Sequence, residues 1–381
     1  MWHSIQDHPG GKAHDAASLS PHDGGYPYGG LIQGTDGNFY GTTRNGGAQN
    51  YGTVFKITQT GTLTTLYSFC FQSGCTDGYF PESRLVQAAN GELYGTTVGG
   101  GVSSTCTGCG TVFKITPAGT LTTLYTFEGQ ADGGGPSSGL IQATDGNFYG
   151  TAAGGGETSS CGGCGTIFKI TPAGTLTPLE NFDLTDGSTP YAGLVQATNG
   201  NVYGTTAFGG AFGAGTVFSL SIGLGPFVET LTASGKVGAA VTILGNDLPG
   251  ATSVTFNGTA AKFKVVSSTE IKTTVPSPAT TGKVKVVTPS HTLTSNLNFR
   301  VTPTILSFSP TSGPVDTSVV ITGKSFTGAT IVAFGGVKAT SFEVDSYTQV
   351  TATVPSGAKT GKITVTTPGG TVTSTGTFTV P

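Results

Sequence analysis

Ten residues carry the groups most able to do chemistry, and their spacing is regular. Six cysteines fall as three close pairs: Cys70 with Cys75, Cys106 with Cys109, and Cys161 with Cys164. Four aspartates open the same five-residue line, Asp-Gly-x-x-Pro, read as DGGYP (23–27), DGYFP (77–81), DGGGP (132–136) and DGSTP (186–190). Thiolates at C-x-x-C spacing can form local disulfides, a four-cysteine zinc site, or a thioredoxin-like redox pair. Brought together, Asp23, Asp77, Asp132 and Asp186 could bind Ca²⁺ or a polar ligand through carboxylate oxygens. The competing and preferred reading of the aspartates is an Asx-type turn, in which Gly and Pro set the backbone.

Catalytic constellations are scarce. Four of the five histidines (His3, His8, His14 and His22) stand in the first 22 residues, a Gly-containing stretch with no repeat character, so a metal cluster there is discounted. The fifth, His291, lies in TPSHTLTS and reads as a solvated turn residue, leaving no Ser-His-Asp arrangement. Paired acids are the remaining option, as in glycosidases. Yet Asp36 and Asp145 are replaced by Asn90 and Asn199 in sister repeats, an exchange that turn chemistry explains and acid–base chemistry does not. Glu92, Glu128 and Glu157 read as deviant acids among the repeats, and nothing pairs them. No catalytic residue is assigned, and the chain is read as a non-enzyme.

The elements that must position these groups repeat. GLIQGTDGNFYGTT (30–43), RLVQAANGELYGTT (84–97), GLIQATDGNFYGTA (139–152) and GLVQATNGNVYGTT (193–206) place Tyr40, Tyr94, Tyr149 and Tyr203 at spacings of 54, 55 and 54. Such a period marks a solenoid, propeller or array. Asp-Gly or Asn-Gly between two apolar runs is the strongest short hairpin signal. A third strand follows in GTVFKIT (52–58) and its counterparts, and a fourth in GTLTTLYSF (61–69). Four short antiparallel strands per unit predict a β-propeller blade, so residues 23–222 are read as four propeller-like repeats. The fourth lacks its last strand, which suggests missing upstream blades or imperfect closure. The tyrosines could stack on sugar rings, but the preferred expectation is that they fill the space between blades with their hydroxyls bonded. Gln33, Gln87, Gln142 and Gln196 are expected to bond loop backbone rather than line a channel.

Cysteine tracks loop length. The connection between GTT and GTVF is eight residues in repeats one and four (44–51, 207–214) and twelve in repeats two and three (98–109, 153–164). Only the longer ones carry C-x-x-C. Ordering a long Gly-rich loop costs entropy, and a short crosslink offsets about 2 kcal/mol of it. Local disulfides are therefore preferred over zinc, and they place the chain in an oxidising compartment.

From about residue 223 the repeat changes. SGKVGAAVTILGNDLPGATSVTFNG (234–258) matches SGPVDTSVVITGKSFTGATIVAFGG (312–336), and TVPSPATTGKVKVVTP (274–289) matches TVPSGAKTGKITVTTP (353–368). Alternating β-branched runs without Cys or Trp predict two small sandwiches, 223–301 and 302–381. The whole chain is therefore read as all-β.

Charged residues are only 10% of the 381. Residues 1–221 hold six Lys/Arg against fourteen Asp/Glu, whereas residues 222–381 hold eleven against six. With no concentrated basic run, nucleic acid is a poor partner, and Lys262, Lys264, Lys283 and Lys285 read as a solvated sandwich face. No apolar stretch is long enough for membrane insertion, and residues 1–20 lack the apolar core of a signal peptide.

On these motifs the front resembles the GloVer (choice-of-anchor) tandem repeats of exported bacterial proteins, and the back resembles two IPT/TIG domains. The resemblance implies an exported, surface-associated protein and names no activity. With the disulfides it suggests that the N-terminus is incomplete. The expectation is a display or binding head on a TIG stalk, with a surface polysaccharide or protein as ligand. A polysaccharide-active enzyme and a purely structural adhesion protein are the alternatives.

Overall fold

The structure is a computed structural model, and it describes residues 17–88, 90–103, 105–156 and 161–381. The protein is all-β, with no α-helix among the described residues. It divides into two compact units at Leu224/Gly225, with Thr198–Gly200 grouping with the second.

The first unit is four small antiparallel sheets in chain order. Sheet one is β1 (Ile32–Gln33), β2 (Phe39–Thr43), β3 (Thr53–Ile57) and β4 (Leu63–Ser68). Sheet two is β5 (Val86–Gln87), β6 (Leu93–Thr97), β7 (Thr111–Ile115) and β8 (Leu121–Thr126). Sheet three is β9 (Ile141–Gln142), β10 (Phe148–Ala152), β11 (Thr166–Ile170) and β12 (Leu176–Asn181). Sheet four stops at three strands, β13 (Val195–Gln196), β14 (Val202–Thr206) and β15 (Thr216–Leu220). Each is a simple meander, because a tight turn at every Asp-Gly or Asn-Gly corner lets neighbouring strands pair directly.

The registers are copies. Gly41 opposes Phe55, Gly95 opposes Phe113, Gly150 opposes Phe168 and Gly204 opposes Phe218. The glycine is required there, since a Cβ on Gly150 would lie 2.7 Å from Phe168 Cζ and 2.8 Å from Leu140 Cδ2. The core forms between sheets rather than within them. One buried cluster joins Tyr40, Val54 and Phe69 of repeat one to Leu85, Leu93, Phe113 and Ile115 of repeat two. The next joins Tyr94, Val112 and Phe127 to Leu140, Phe148, Phe168 and Ile170. Tyr40, Tyr94 and Tyr149 are buried, as a core-filling role requires, and Tyr203 of the last sheet is half-buried.

The second unit holds two sandwiches. The first pairs a four-stranded with a five-stranded sheet around Val241, Ile243, Val254, Phe256, Ile271, Val284, Val286 and Phe299. The second pairs two four-stranded sheets around Val319, Ile321, Phe334, Val350, Ile363, Val365 and Phe378. Both copies keep one irregularity, a bulge at Lys283/Lys285 and at Lys362/Thr364. A buried serine fills it each time: the N–H of Val284 donates to Ser295 Oγ, and that of Ile363 to Ser374 Oγ, both at 3.0 Å.

Candidate ligand-binding edge

Strand direction sorts the loops of the first unit onto two edges. On one edge, among the described residues, consecutive strands of a sheet are joined by tight turns, such as Gly34–Gly37 and Thr58–Gly61. On the other, the connection from second to third strand meets the Asp-Gly-x-x-Pro segment. A single antiparallel bridge ties them in every repeat: Gly25 to Asn45, Tyr79 to Gly99, Gly134 to Gly154, and Ser188 to Phe208. All the length variation among repeats therefore falls on this second edge.

The four aspartates sit here, each engaged by its own loop. Asp77 is fully buried; its Oδ2 accepts the Tyr67 hydroxyl at 2.8 Å and the Phe71 N–H at 3.0 Å. Asp132 accepts the Tyr125 hydroxyl at 3.0 Å and the Glu128 N–H at 2.7 Å, while its Oδ1 has no hydrogen-bond partner. Asp23 accepts the Ser20 hydroxyl at 2.6 Å, and Asp186 the Asp183 N–H at 2.9 Å. Burial, together with the neighbouring carboxylate, pushes the Tyr67 and Tyr125 phenols above their ordinary range. Among the described residues, no group of three or more His, Cys, Asp or Glu side chains is placed to hold a metal ion.

The cysteines pair locally, Cys70 with Cys75, Cys106 with Cys109 and Cys161 with Cys164, and no free thiol remains. A four-cysteine zinc set would need those thiolates free. Cys109 and Cys164 occupy the position of Tyr51 in repeat one and Ala214 in repeat four.

The fourth residue of Asp-Gly-x-x-Pro is left-handed in every repeat: Tyr26 (φ 56°), Phe80 (57°), Gly135 (61°) and Thr189 (55°). Only Gly135 adopts this without the usual cost of about 1–2 kcal/mol for a Cβ-bearing residue. Phe80 is joined by Tyr79 (ring centroids 4.9 Å apart) and Tyr51 (5.8 Å), with the Arg44 guanidinium 4.5 Å above its ring. Arg44 Nε also pairs with Glu82 Oε1 at 2.5 Å. The result is an aromatic cluster in which the Arg44–Glu82 ion pair covers a face of Phe80.

Elsewhere along the edge, Phe71, Phe208 and Phe212 are 74, 56 and 97% exposed. Tyr26, Tyr28, Tyr51 and Tyr191 complete the seven exposed aromatic side chains among the described residues. All seven lie in the variable loops or directly after the proline that ends one. Motif reading missed them, because self-comparison hides residues that the copies do not share; aromatics in Gly-rich loops were the available signal.

The other candidates lie apart. Glu92 is spent in a hairpin corner with Lys114 Nζ (3.1 Å) and Asn90 Nδ2 (2.7 Å). His291 donates its backbone N–H to Thr288 Oγ1; Lys264, Lys283 and Lys285 are exposed on strands of the second unit, and Lys262, also exposed, precedes the strand that starts at Phe263. His3, His8, His14 and Glu157 lie outside the described residues.

Residues 7–108 and 88–262 match the family model described as the Gloeobacter/Verrucomicrobia repeat. Residues 226–301 and 303–380 each match the IPT/TIG domain. No curated protein matches the sequence. Among solved structures, the surface glycan-binding protein PbSGBP-B from Prevotella bryantii is 18% identical, with 42% of this chain and 40% of that chain covered and a TM-score of 0.29. SGBP-B from a complex xyloglucan utilization locus in Bacteroides uniformis is 20% identical over 40% of this chain and 48% of that one, with a TM-score of 0.20. A gluconolactonase from Xanthomonas campestris is 12% identical over 88% and 89%, with a TM-score of 0.34. The chain thus spans less than half the length of those two glycan-binding proteins.

Proposed function

The chain belongs to the Gloeobacter/Verrucomicrobia repeat family and carries two IPT/TIG domains, and from that premise we propose that it is an exported, non-enzymatic protein that binds neutral polysaccharide along its aromatic loop edge. The observation that carries the reading is the confinement of all seven exposed aromatic side chains among the described residues to that edge. Aromatic rings offer large, rigid, amphipathic contact surfaces at low entropic cost, which suits the apolar C–H faces of sugar rings. Arg44, stacked over Phe80, and its ion-pair partner Glu82 stand next to the exposed Tyr51 ring as hydrogen-bonding groups for hydroxyls at the sugar's rim. Six Lys/Arg against fourteen Asp/Glu over residues 1–221 disfavours an anionic glycan. Three local disulfides support an oxidising, extracytoplasmic location. The IPT/TIG pair then serves as a stalk or docking unit. No helix among the described residues is long and apolar enough to cross a membrane.

Affinity electrophoresis of the full chain through gels containing neutral or anionic polysaccharides tests this. Retardation is expected with at least one neutral glycan, and each of Tyr51→Ala, Phe71→Ala and Phe212→Ala should weaken it by up to about tenfold. Unretarded migration in every gel, or retardation that survives all three truncations together, would overturn the reading.

A further inference from the structure

The three junctions between neighbouring sheets use one set of contacts. The backbone N–H of the fourth Asp-Gly-x-x-Pro residue donates to the preceding repeat: Phe80 to Tyr51 O (2.9 Å), Gly135 to Cys109 O (2.8 Å) and Thr189 to Cys164 O (2.7 Å). The next residue, proline, lies against the glycine after that carbonyl. A Cβ on Gly52, Gly110 or Gly165 would lie 2.7, 2.7 or 2.6 Å from Cδ of Pro81, Pro136 or Pro190. A threonine hydroxyl crosses each seam, Thr42 to Ser83 O, Thr96 to Ser138 O and Thr151 to Pro190 O. Leu85, Leu140 and Leu194 close it from one side at 2, 5 and 6% exposure, and Val54, Val112 and Ile167 from the other at 0, 0 and 1%.

At the two ends the same positions keep the same chemistry and stand open. On sheet one, Pro27 is exposed where Pro81, Pro136 and Pro190 are buried, and Leu31 is 49% exposed. On sheet four, Val217 is 81% exposed, and Thr205, the counterpart of Thr42, is exposed as well. Both faces are already in the conformation the internal seams use. Gly215 has φ 96°, beside 101°, 94° and 98° at Gly52, Gly110 and Gly165. Leu31 already leans on Gly41, its Cδ2 2.7 Å from where a Cβ would stand, as Leu85 does on Gly95 at 2.8 Å.

We propose that a fourth junction forms between two copies of this chain, the first repeat of one packing on the fourth repeat of another. In it the Tyr26 N–H meets the Ala214 carbonyl, Pro27 covers Gly215, and Leu31 and Val217 bury one another. The internal seams identify the occupant: each exposed face is half of a contact the molecule makes three times. Such an interface is heterologous, so it closes a ring or propagates as a filament. Sheet four lacks a fourth strand, so this seam misses the phenylalanine that meets the next repeat edge-on in the others (Phe69–Phe113, Phe127–Phe168 and Phe182–Phe218, at 5.2, 5.2 and 5.1 Å). Association is therefore weaker than an internal junction and depends on concentration.

Sedimentation velocity on the full, oxidised chain tests this, with Leu31→Arg blocking one face and Val217→Arg the other. Both positions are exposed, and an unchanged thermal unfolding profile checks that each variant folds. Wild type should gain mass with concentration, and each variant alone should lose that gain. An equimolar mixture of the two should recover a heterodimer, because one intact face remains on each partner. Monomeric wild type at the highest soluble concentration overturns the proposal. So does wild-type association that both variants retain, or a mixture that stays monomeric while wild type associates.

Discussion

The two units solve the same problem, burying small β-sheets, in opposite ways. Each IPT/TIG sandwich closes its core between its own two sheets, so Val241, Val254, Ile271 and Val286 meet within one copy. Each repeat of the first unit buries only half a core and borrows the rest from its successor, as Val112 and Phe127 do from Leu140 and Phe168. The first arrangement yields self-sufficient folds. The second yields an array whose stability is close to a sum of nearest-neighbour terms and whose ends remain open. The difference explains why one residue type at one repeat position can be buried in one copy and bare in another.

The largest expected effect tests that contrast directly. Phe168→Ala removes a fully buried ring that covers Gly150 and meets Phe127 of the preceding repeat edge-on. A cavity at that seam should cost about 3–5 kcal/mol and uncouple repeats one and two from three and four. Hydrogen exchange in graded urea should then show two openings within the first unit. Ile271→Ala, buried at the centre of the first sandwich, should cost about 2–5 kcal/mol yet leave that sandwich opening as one piece. A single transition across all four repeats of Phe168→Ala would break the nearest-neighbour picture.

A smaller effect separates the units by redox state. Replacing Cys161 and Cys164 together by serine releases the long third-repeat loop and should lower the stability of the first unit by about 2 kcal/mol in the chain-entropy model. Residues 225–381 contain no cysteine, so a reductant should shift only the urea transition of the repeats. Equal sensitivity of both transitions would mean that the units unfold together, and the contrast drawn above would have to be narrowed.

What could be read from the sequence follows the same divide between local and borrowed structure. Hairpin corners are local, so Asp-Gly and Asn-Gly announce β1–β2, β5–β6 and their counterparts at their true period. The sandwiches announce themselves by alternation, since Ala240–Leu244 and Gly282–Val287 each turn every second residue inward. Burial at a seam is not local. Val54 and Val217 sit in the same GTVF line, yet one is 0% and the other 81% exposed, because only the first packs against the sheet of a following repeat. Asp77 shows the same limit: its Asp-Gly reads as a turn, while the Tyr67 hydroxyl it accepts comes from a strand ten residues earlier. The aromatic edge was illegible for a different reason. Phe71, Phe208 and Phe212 lie where the copies disagree, and repeat comparison keeps only what they share.

The smallest effect sharpens the comparison through pH. The Tyr149 hydroxyl donates to Asp145 Oδ2 at 2.9 Å, and that of Tyr40 to Asp36 Oδ2 at 2.7 Å. Burial pulls the Asp36 carboxyl upward, but hydrogen bonds from Tyr40 and Asn38 outweigh it and hold it below its usual value. Burial first, and then the carboxylate, push the Tyr40 phenol up to about 12 and Tyr149 higher still. A phenol raised in the folded state stabilises fully below its unfolded value near 10. That stability is lost as pH climbs from about 10 through the folded value, because the unfolded chain gives up its proton first. The first unit should therefore soften above about pH 10, while the second, whose sequence holds one tyrosine, Tyr347, is the internal reference. Tyr149→Phe should cost about 1 kcal/mol at neutral pH, since Asp145 Oδ2 keeps the Asn147 amide at 2.7 Å. It should also make the alkaline decline shallower, measured as the drop in urea midpoint between pH 9 and about pH 11. An unchanged decline in the variant would show that alkali attacks the repeats somewhere other than at these buried phenol–carboxylate pairs.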